Sequence, residues 1–423
     1  MQTKTRKVPR LRFREFSGEW QEKKLGDLIA RLDAGVSVNS EDRSAKSHEK
    51  AILKTSCVTR GVFDAGENKV VTNKVEIDRL KESLKKDTIV ISRMNTPLLV
   101  GANALVYESN DDIFLPDRLW AAKVEDSASP NWIALKLGGR KMRARLSVLA
   151  TGTSNSMKNI TKGDVLNAKI YAPVLEEQKK IAGFLGVVDD KISALQSKKE
   201  LLDKYKKGIM QKIFSQEKRF KDGNNKDYPA WHEKSLNEVG KTYNGLKGKT
   251  ADDFGSGQTY ITYKQIFDNS TIDTSKFGLV SVSSQENQNT VIWGDILFTT
   301  SSETPDEVGF ASVMMEEVQN VYLNSFCFGF RPNNLKNLVP EFAQFLFRGE
   351  KFRGIMHKLA QGSTRYNISK NGFLKAVVSL PCEEEQQKIA DFLSTLDDKI
   401  DFTERELEQA KQFKKALLQQ MFV

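Results

Sequence analysis

The sequence predicts an α+β chain organised as a pseudo-two-fold tandem repeat, in which two similar mixed α/β domains are separated by two long helices packed as an antiparallel coiled coil. Three observations lead there. A long segment recurs at a fixed separation. Both copies of it carry apolar residues at alternating intervals of four and three. Each copy follows a stretch in which short β-rich runs precede a helical stretch and a turn. The expected boundaries are 1–172 for the first domain, 173–214 for the central helix, 215–380 for the second domain and 381–423 for the C-terminal helix.

The repeat is strongest in the helices. Residues 173–214 and 381–422 align without a gap at an offset of 208, with 18 identities in 42 positions. The identities include Glu176/Glu384, Glu177/Glu385, Gln178/Gln386, Ile181/Ile389, Phe184/Phe392, Asp189/Asp397, Asp190/Asp398 and Phe214/Phe422. Upstream the match is fainter. Val100-Gly101 falls on Val308-Gly309, and Asp87-Thr88-Ile89 on Asp295-Ile296-Leu297. A two-residue slip aligns 130–152 with 340–362 and then closes, so that Asn159-Ile160 meets Asn367-Ile368. Each unit opens with a Trp five residues before a Leu, Trp20/Leu25 and Trp231/Leu236. The polar, turn-rich run SQEKRFKDGNNKDYPA separates the units.

Residues 176–214 and 384–422 contain no Pro and are rich in Lys, Glu, Gln, Leu and Ile. Pro173 and Pro381 stand just before them, and acidic first turns suit the helix dipole. Ile181, Leu185, Val188, Ile192, Leu195, Leu202 and Ile209 form one a/d seam; Ile389, Leu393, Leu396, Ile400, Leu407 and Leu417 form the other. Lys199, Lys206, Thr403 and Lys414 interrupt the seams, with Tyr205 and Phe413 placed to fill in. At 1.5 Å per residue each helix would run about 60 Å, longer than the ~34 Å turn of B-DNA. One such helix alone would read as a dimerisation coiled coil. Two copies, each behind a domain, favour a spacer between two similar binding domains.

Within the domains, strands are expected at 87–92, 102–107 and 295–300. Basic helical stretches are expected near 130–150 and 340–360, the first carrying Arg140, Lys141, Arg143 and Arg145. The turns TGTSNSMKNI (151–160) and QGSTRYNI (361–368) follow. Hydroxyls, amides and basic groups in such places suit phosphate and base-edge contacts. Arg143, Lys158 and Asn159, with Arg365, Tyr366 and Asn367 in the second copy, are therefore candidates. The strand-end loop 91–101 adds Arg93 and Asn95, side chains able to pair bidentately with guanine and adenine. Its counterpart, 299–309, adds Thr300 and Ser301 and is acidic. The competing reading of either copy alone is a solvated helix and turn, and loop drift would also make the two loops differ.

Lys and Arg outnumber Asp and Glu by 65 to 55, giving a net charge of +10. That balance suits an acidic partner, nucleic acid foremost, although a basic protein without such a partner would show the same charge. Three scattered cysteines and three isolated histidines suggest neither a disulfide framework nor a metal site. No apolar run reaches the ~18 residues of a membrane span. The basic N-terminal run MQTKTRKVPRLRF lacks an apolar leader core, so a soluble, cytoplasmic chain is expected.

Catalytic motifs are not recognisable. Asn95-Thr96-Pro97-Leu98 lacks the second proline and the aromatic of an amino-methyltransferase run. Gly248-Lys249-Thr250 ends like a phosphate-binding loop, but Tyr243 occupies its first glycine position. Pro116-Asp117 and Pro305-Asp306 have no Glu-x-Lys or Asp-x-Lys partner at a fitting distance, so no nuclease motif forms. The acid pairs Asp189/Asp190 and Asp397/Asp398 fall on the long helices, where packing or surface roles are expected.

A proline before EEQKKIAGFLGVVDDKI (176–192) and EEQQKIADFLSTLDDKI (384–400), each closing a variable domain, resembles the specificity subunits of type I restriction-modification enzymes. Gly294-Asp295-Ile296-Leu297 and the two Gly/Ser/Thr turns ending in Asn-Ile also look like that family; the first copy of the former departs to Lys86-Asp87-Thr88-Ile89. The resemblance implies a non-catalytic DNA-recognition subunit, each domain reading half of a bipartite target on double-stranded DNA. It implies helices that set half-site spacing and dock two methylation subunits, with Glu177, Gln178, Ile181, Phe184, Glu385, Gln386, Ile389 and Phe392 as docking candidates. Two restriction (motor-nuclease) subunits would complete the complex. Adenine methylation, S-adenosylmethionine, Mg2+ and ATP would belong to those partners, with no cofactor in this chain. A self-sufficient DNA-modifying enzyme and a coiled-coil scaffold protein are the competing readings.

Overall fold

The computed structural model describes residues 7–59, 61–154 and 157–423. The chain parts into two compact units, Met1–Leu195 with Glu406–Val423, and Gln196–Arg405. The division cuts across both long helices, Leu175–Phe214 and Glu383–Gln420, instead of setting them apart as separate segments. Each globular domain claims the start of one helix and the end of the other.

The first unit is built on an antiparallel sheet in the order Ile29–Ala34, Leu119–Val124, Ile89–Ser92, Asn103–Leu105. Its central strands are buried at nearly every position because they feed two cores. Ile89, Ile91, Trp120 and Ala122 point into a core shared with the helices, and Val90, Leu119 and Ala121 into a second core. A smaller sheet covers that second core, in the order Asn68–Val70, Ala51–Leu53, Asn110–Phe114, Ser83–Leu84, with its middle pair parallel.

The second unit repeats this plan. Its main sheet runs Gly240–Asn244, Cys327–Pro332, Ile296–Thr299, Ala311–Val313. Ile296 and Phe298 face the helix-side core while Leu297 faces the other. Its smaller sheet runs Gly278–Val280, Phe254–Ile261, Val321–Leu323, Thr290–Val291, again with a parallel middle pair. The duplication read from the helices thus extends, strand for strand, through the domains.

Two local expectations change. Each basic helical stretch is two helices, Pro130–Gly138 and Arg140–Leu149 in one unit, Pro340–Leu346 and Glu350–Leu359 in the other. Gly139 stands extended at the first joint, with ψ 141, ending one helix and opening the next; in the second unit Phe347 closes the first helix and Gly349, with ψ 149, opens the next. The seam fillers also differ. Tyr205 and Phe413 are 51% and 53% exposed. Each lies one residue, about 100° of helix, from the seam position. The seam lysines stay and reach across instead. Lys206 pairs with Asp397 in the second unit, and Lys414 with Asp189 in the first. Burial pushes the Asp397 carboxyl above its ordinary range against the pull of Lys206. In the second unit Lys199 meets Glu404 while Lys206 meets Asp397, so the helices run antiparallel.

Candidate nucleic-acid interface

Residues far apart in sequence meet at one edge of each domain. In the first, Met94–Asn95 pairs antiparallel with Met157–Asn159, Asn95 opposite Lys158 and Met94 opposite Asn159. In the second, Ser301–Ser302 pairs with Tyr366–Asn367, Ser301 opposite Asn367. The same backbone bond closes both: Ile160 N donates to Arg93 O at 3.0 Å, and Ile368 N to Thr300 O at 3.1 Å. Arg93, Asn95, Lys158 and Asn159 therefore form one surface, and Thr300, Ser301, Arg365, Tyr366 and Asn367 its counterpart. Position by position, Arg93 answers to Thr300, Asn95 to Ser302, Lys158 to Tyr366 and Asn159 to Asn367.

Glycines shape both hairpins. Gly152 and Gly362 have φ 154 and φ 141, and an added Cβ at either would run into the opposing strand's backbone. Lys158 Nζ donates to Gly152 O at 3.1 Å. The central Asn155-Ser156 of the first turn lies outside the described residues.

The first surface carries unmet polar atoms. Arg93 lies 6.0 Å from the Trp120 ring centroid, and its buried Nε has no hydrogen-bond partner among the described residues. Asn159 Oδ1 is likewise buried and unpaired. Each such atom costs about 1–3 kcal/mol until a partner arrives. Asn95 instead folds onto its neighbours, its Nδ2 donating to Ser92 Oγ at 3.2 Å and its Oδ1 accepting from Thr96 N at 2.9 Å.

Arg143 takes a different place from the expected one. Its guanidinium donates to Val100 O at 2.7 Å and Leu98 O at 2.9 Å, and burial lowers its pKa. It clamps the loop that follows Asn95 and is a positioning residue. Arg353 does the same in the second unit, donating to Asp306 O at 2.7 Å with its guanidinium 4.1 Å from the Phe310 ring centroid.

The helix-docking candidates are also corrected. Glu177 is wholly buried, accepting from Arg12 Nε and Nη2 at 2.8 Å each and from Trp20 Nε1 at 3.3 Å. Gln178 accepts from Ser129 N at 3.0 Å and donates to Pro173 O at 2.9 Å. Glu385 accepts from Arg219 Nε at 3.2 Å and Nη2 at 2.5 Å, and from Trp231 Nε1 at 3.0 Å. Gln386 accepts from Val339 N at 2.9 Å and donates to Pro381 O and Asn337 O at 3.0 Å each. Ile181 and Ile389 are buried in the helix-side cores. Phe184 packs on Phe13 and Phe392 on Phe220, at 5.8 and 5.5 Å between ring centroids. The repeated Glu-Gln motif therefore fastens each helix to its own domain, leaving Glu177, Gln178, Ile181, Glu385, Gln386 and Ile389 no face for another chain, whereas Phe184 stays 37% exposed and Phe392 partly so.

The fastening partners Arg12 and Arg219 escape a reading of the sequence alone. Arg12-Phe13 and Arg219-Phe220 are a repeated pair, but they precede Trp20 and Trp231 by 8 and 12 residues, which hides the match from a fixed offset. At the other ends, Phe422 stacks on Trp132 at 5.8 Å, and Phe214 lies 5.7 Å from Phe342.

Among the described residues no three His, Cys, Asp or Glu side chains gather as metal ligands, and no helix is long and apolar enough to cross a membrane.

Comparison with known proteins gives the same pattern of two copies. The sequence profile described as "Type I restriction modification DNA specificity domain" matches residues 17–203 and again 229–412. A relative in Methanocaldococcus jannaschii, the type I restriction enzyme MjaVIII specificity subunit, is 26% identical over 60% of this chain and 60% of its own. The putative MjaX specificity subunit of the same organism is 23% identical over 96% of this chain and 93% of its own. Among solved structures, the type I restriction-modification S subunit from M. genitalium superposes with a TM-score of 0.60, at 17% identity over 98% of this chain and 99% of that one. A chain from a study of complex assembly and conformational transition in the type I R-M system gives 0.55, at 17% identity over 94% and 96%. The structural likenesses bear on the fold and the profile on descent: the chain belongs to the type I restriction modification DNA specificity domain family, whose domain it carries twice.

Proposed function

We propose that this chain is the sequence-specific DNA-recognition subunit of a type I restriction-modification complex, each domain reading one half of a bipartite target in double-stranded DNA. The observation that carries the reading is the pair of equivalent strand pairings, Met94–Asn95 with Met157–Asn159 and Ser301–Ser302 with Tyr366–Asn367, alike in backbone and different in most side chains. One scaffold presents Arg93, Lys158 and Asn159; the other presents Thr300, Tyr366 and Asn367. Arg and Asn match guanine and adenine edges bidentately, and hydroxyls reach phosphate or base. Unpaired polar atoms at Arg93 and Asn159 support a surface that awaits hydrogen-bonding partners.

In this reading the long helices set half-site spacing and hold two methylation subunits, and two motor-nuclease subunits complete the complex in the cytoplasm. S-adenosylmethionine, Mg2+ and ATP act in those partners. Since the Glu-Gln motif is buried, docking moves to outward side chains of the helices. Val187, Leu201 and Tyr205 on one helix, and Phe402 and Phe413 on the other, are 51–67% exposed. They stand off the seam, as a partner helix requires.

Methylome sequencing of cells expressing the chain with its methylation subunits tests the proposal. A bipartite motif is expected, and Arg93→Ala should relax or abolish one half only. Methylation without sequence preference, or methyl transfer by the chain alone, would overturn it.

A further inference from the structure

One further position belongs to each surface. Arg93 N donates to Arg118 O at 3.0 Å, and Thr300 N donates to Phe326 O at 2.9 Å. Arg118 and Phe326 each end the turn that enters a central strand, Leu119–Val124 and Cys327–Pro332. They are structural equivalents, 208 residues apart.

Packing asks nothing of either side chain. Arg118 is exposed, with no side-chain hydrogen bond among the described residues. Phe326 is 54% exposed, although a phenyl ring gains free energy by leaving water. The Arg365 guanidinium lies 5.9 Å from its ring centroid, so the second surface presents a phenyl face backed by a cation. One backbone position thus accepts the most hydrophilic and one of the most apolar side chains. A residue freed from folding and set beside a reading surface is available for specificity.

We propose that this turn is a specificity-determining position in both domains: Arg118 reads the O6/N7 edge of a guanine, and Phe326, steadied by Arg365, packs on the 5-methyl of a thymine. The chemistry follows from the side chains. A guanidinium matches the two acceptors of guanine, and an apolar ring has no hydrogen bond to offer but fits a methyl group. The assignment rests on the DNA-recognition reading above and names what two of its contacts select.

The test uses the full chain in its methylation complex, bound to duplexes carrying its own motif. Single guanines are replaced by 7-deazaguanine, which lacks N7, and single thymines by deoxyuridine, which lacks only the methyl. The native complex should lose about tenfold in affinity at one guanine, the equivalent of one charge-assisted hydrogen bond. It should lose about fourfold at one thymine in the other half, the worth of one methyl group. Arg118→Ala should be indifferent to that 7-deazaguanine, and Phe326→Ala to that deoxyuridine. Arg118→Lys and Phe326→Leu, with unchanged melting temperatures, exclude a folding defect, and each variant judges its own domain. If an alanine variant keeps the native penalty at every analogue, or the native complex shows none in that half, the assignment for that domain is overturned. A native complex without any bipartite preference would instead refute the DNA-recognition reading itself.

Discussion

Replacing Arg12 by Met should unfasten the first unit from its helix. The guanidinium makes two bonds of 2.8 Å to Glu177 and also donates to Gly18 O at 2.6 Å and Ser17 O at 3.1 Å. Without it, a carboxylate whose side chain is 1% exposed keeps, among the described residues, only the Trp20 indole as donor, at 3.3 Å. Stranding one partner of a buried pair costs about 3–5 kcal/mol. Two features pull the cost to the low end. Glu177 sits in the first helical turn, where the dipole favours negative charge by roughly 0.3–1 kcal/mol. Arg12 is itself 15% exposed, so water can enter its place. About 3 kcal/mol is expected, which for a unit of this size lowers its melting transition by about 6–12 °C. Calorimetry measures the shift, and hydrogen exchange should place the added opening in peptides covering 175–195. Arg219→Met should cost less, because Arg219 is 25% exposed. The double variant Arg12→Met/Glu177→Met should recover to within about 1 kcal/mol of the native protein, since it removes the stranded charge. A single-variant cost under about 0.5 kcal/mol, or a double variant no better than the single, would refute the reasoning.

Three further outcomes are expected. Burial raises the folded-state pKa of Asp397 above its ordinary 3.8, so the folded state binds that proton more tightly than the unfolded one. Its contribution to stability is therefore present below 3.8 and falls as pH rises through the folded pKa; Asp397→Asn should flatten that limb in denaturant titrations, whereas Lys206→Met should steepen it. Alanine at Gly152 or Gly362 should distort the corresponding hairpin, costing about 1–3 kcal/mol locally, and should weaken one half-site in binding assays while global melting moves little. Tyr205→Ala and Phe413→Ala should leave stability within about 0.5 kcal/mol, as exposed positions do, but should weaken capture of the methylation subunits in ultracentrifugation; loss of stability without loss of assembly would place these rings in the fold instead.

Much of the architecture was legible in one sequence because duplication prints it twice. The 208-residue offset, the 4-3 apolar spacing and the prolines before each helix are local or periodic signals, and helices Leu175–Phe214 and Glu383–Gln420 follow them. The strands at 89–92, 103–105 and 296–299 fall inside the expected runs, because strands buried on both faces are apolar without alternation. Residue chemistry also singled out the side chains of the two candidate surfaces, although nothing in the order of the chain says that Asn95 lies opposite Lys158.

What each side chain does was decided by tertiary structure. A repeated Glu-Gln motif on a helix looks equally like a docking face or a fastening until Arg12 and Trp20, or Arg219 and Trp231, are found closing on it. Arg143 looks like a phosphate ligand until the loop carbonyls of Leu98 and Val100 are seen to take both of its ends. Burial and hydrogen-bond partners are set by elements distant in the chain, so they leave no periodic trace. Arg118 and Phe326 show the converse, since only the shared backbone bonds to Arg93 and Thr300 reveal that a cation and a phenyl ring occupy one position. The sequence by itself determined the duplicated frame, because periodicity and offset are properties of order; the tertiary structure decided which residues hold that frame together and which it leaves exposed.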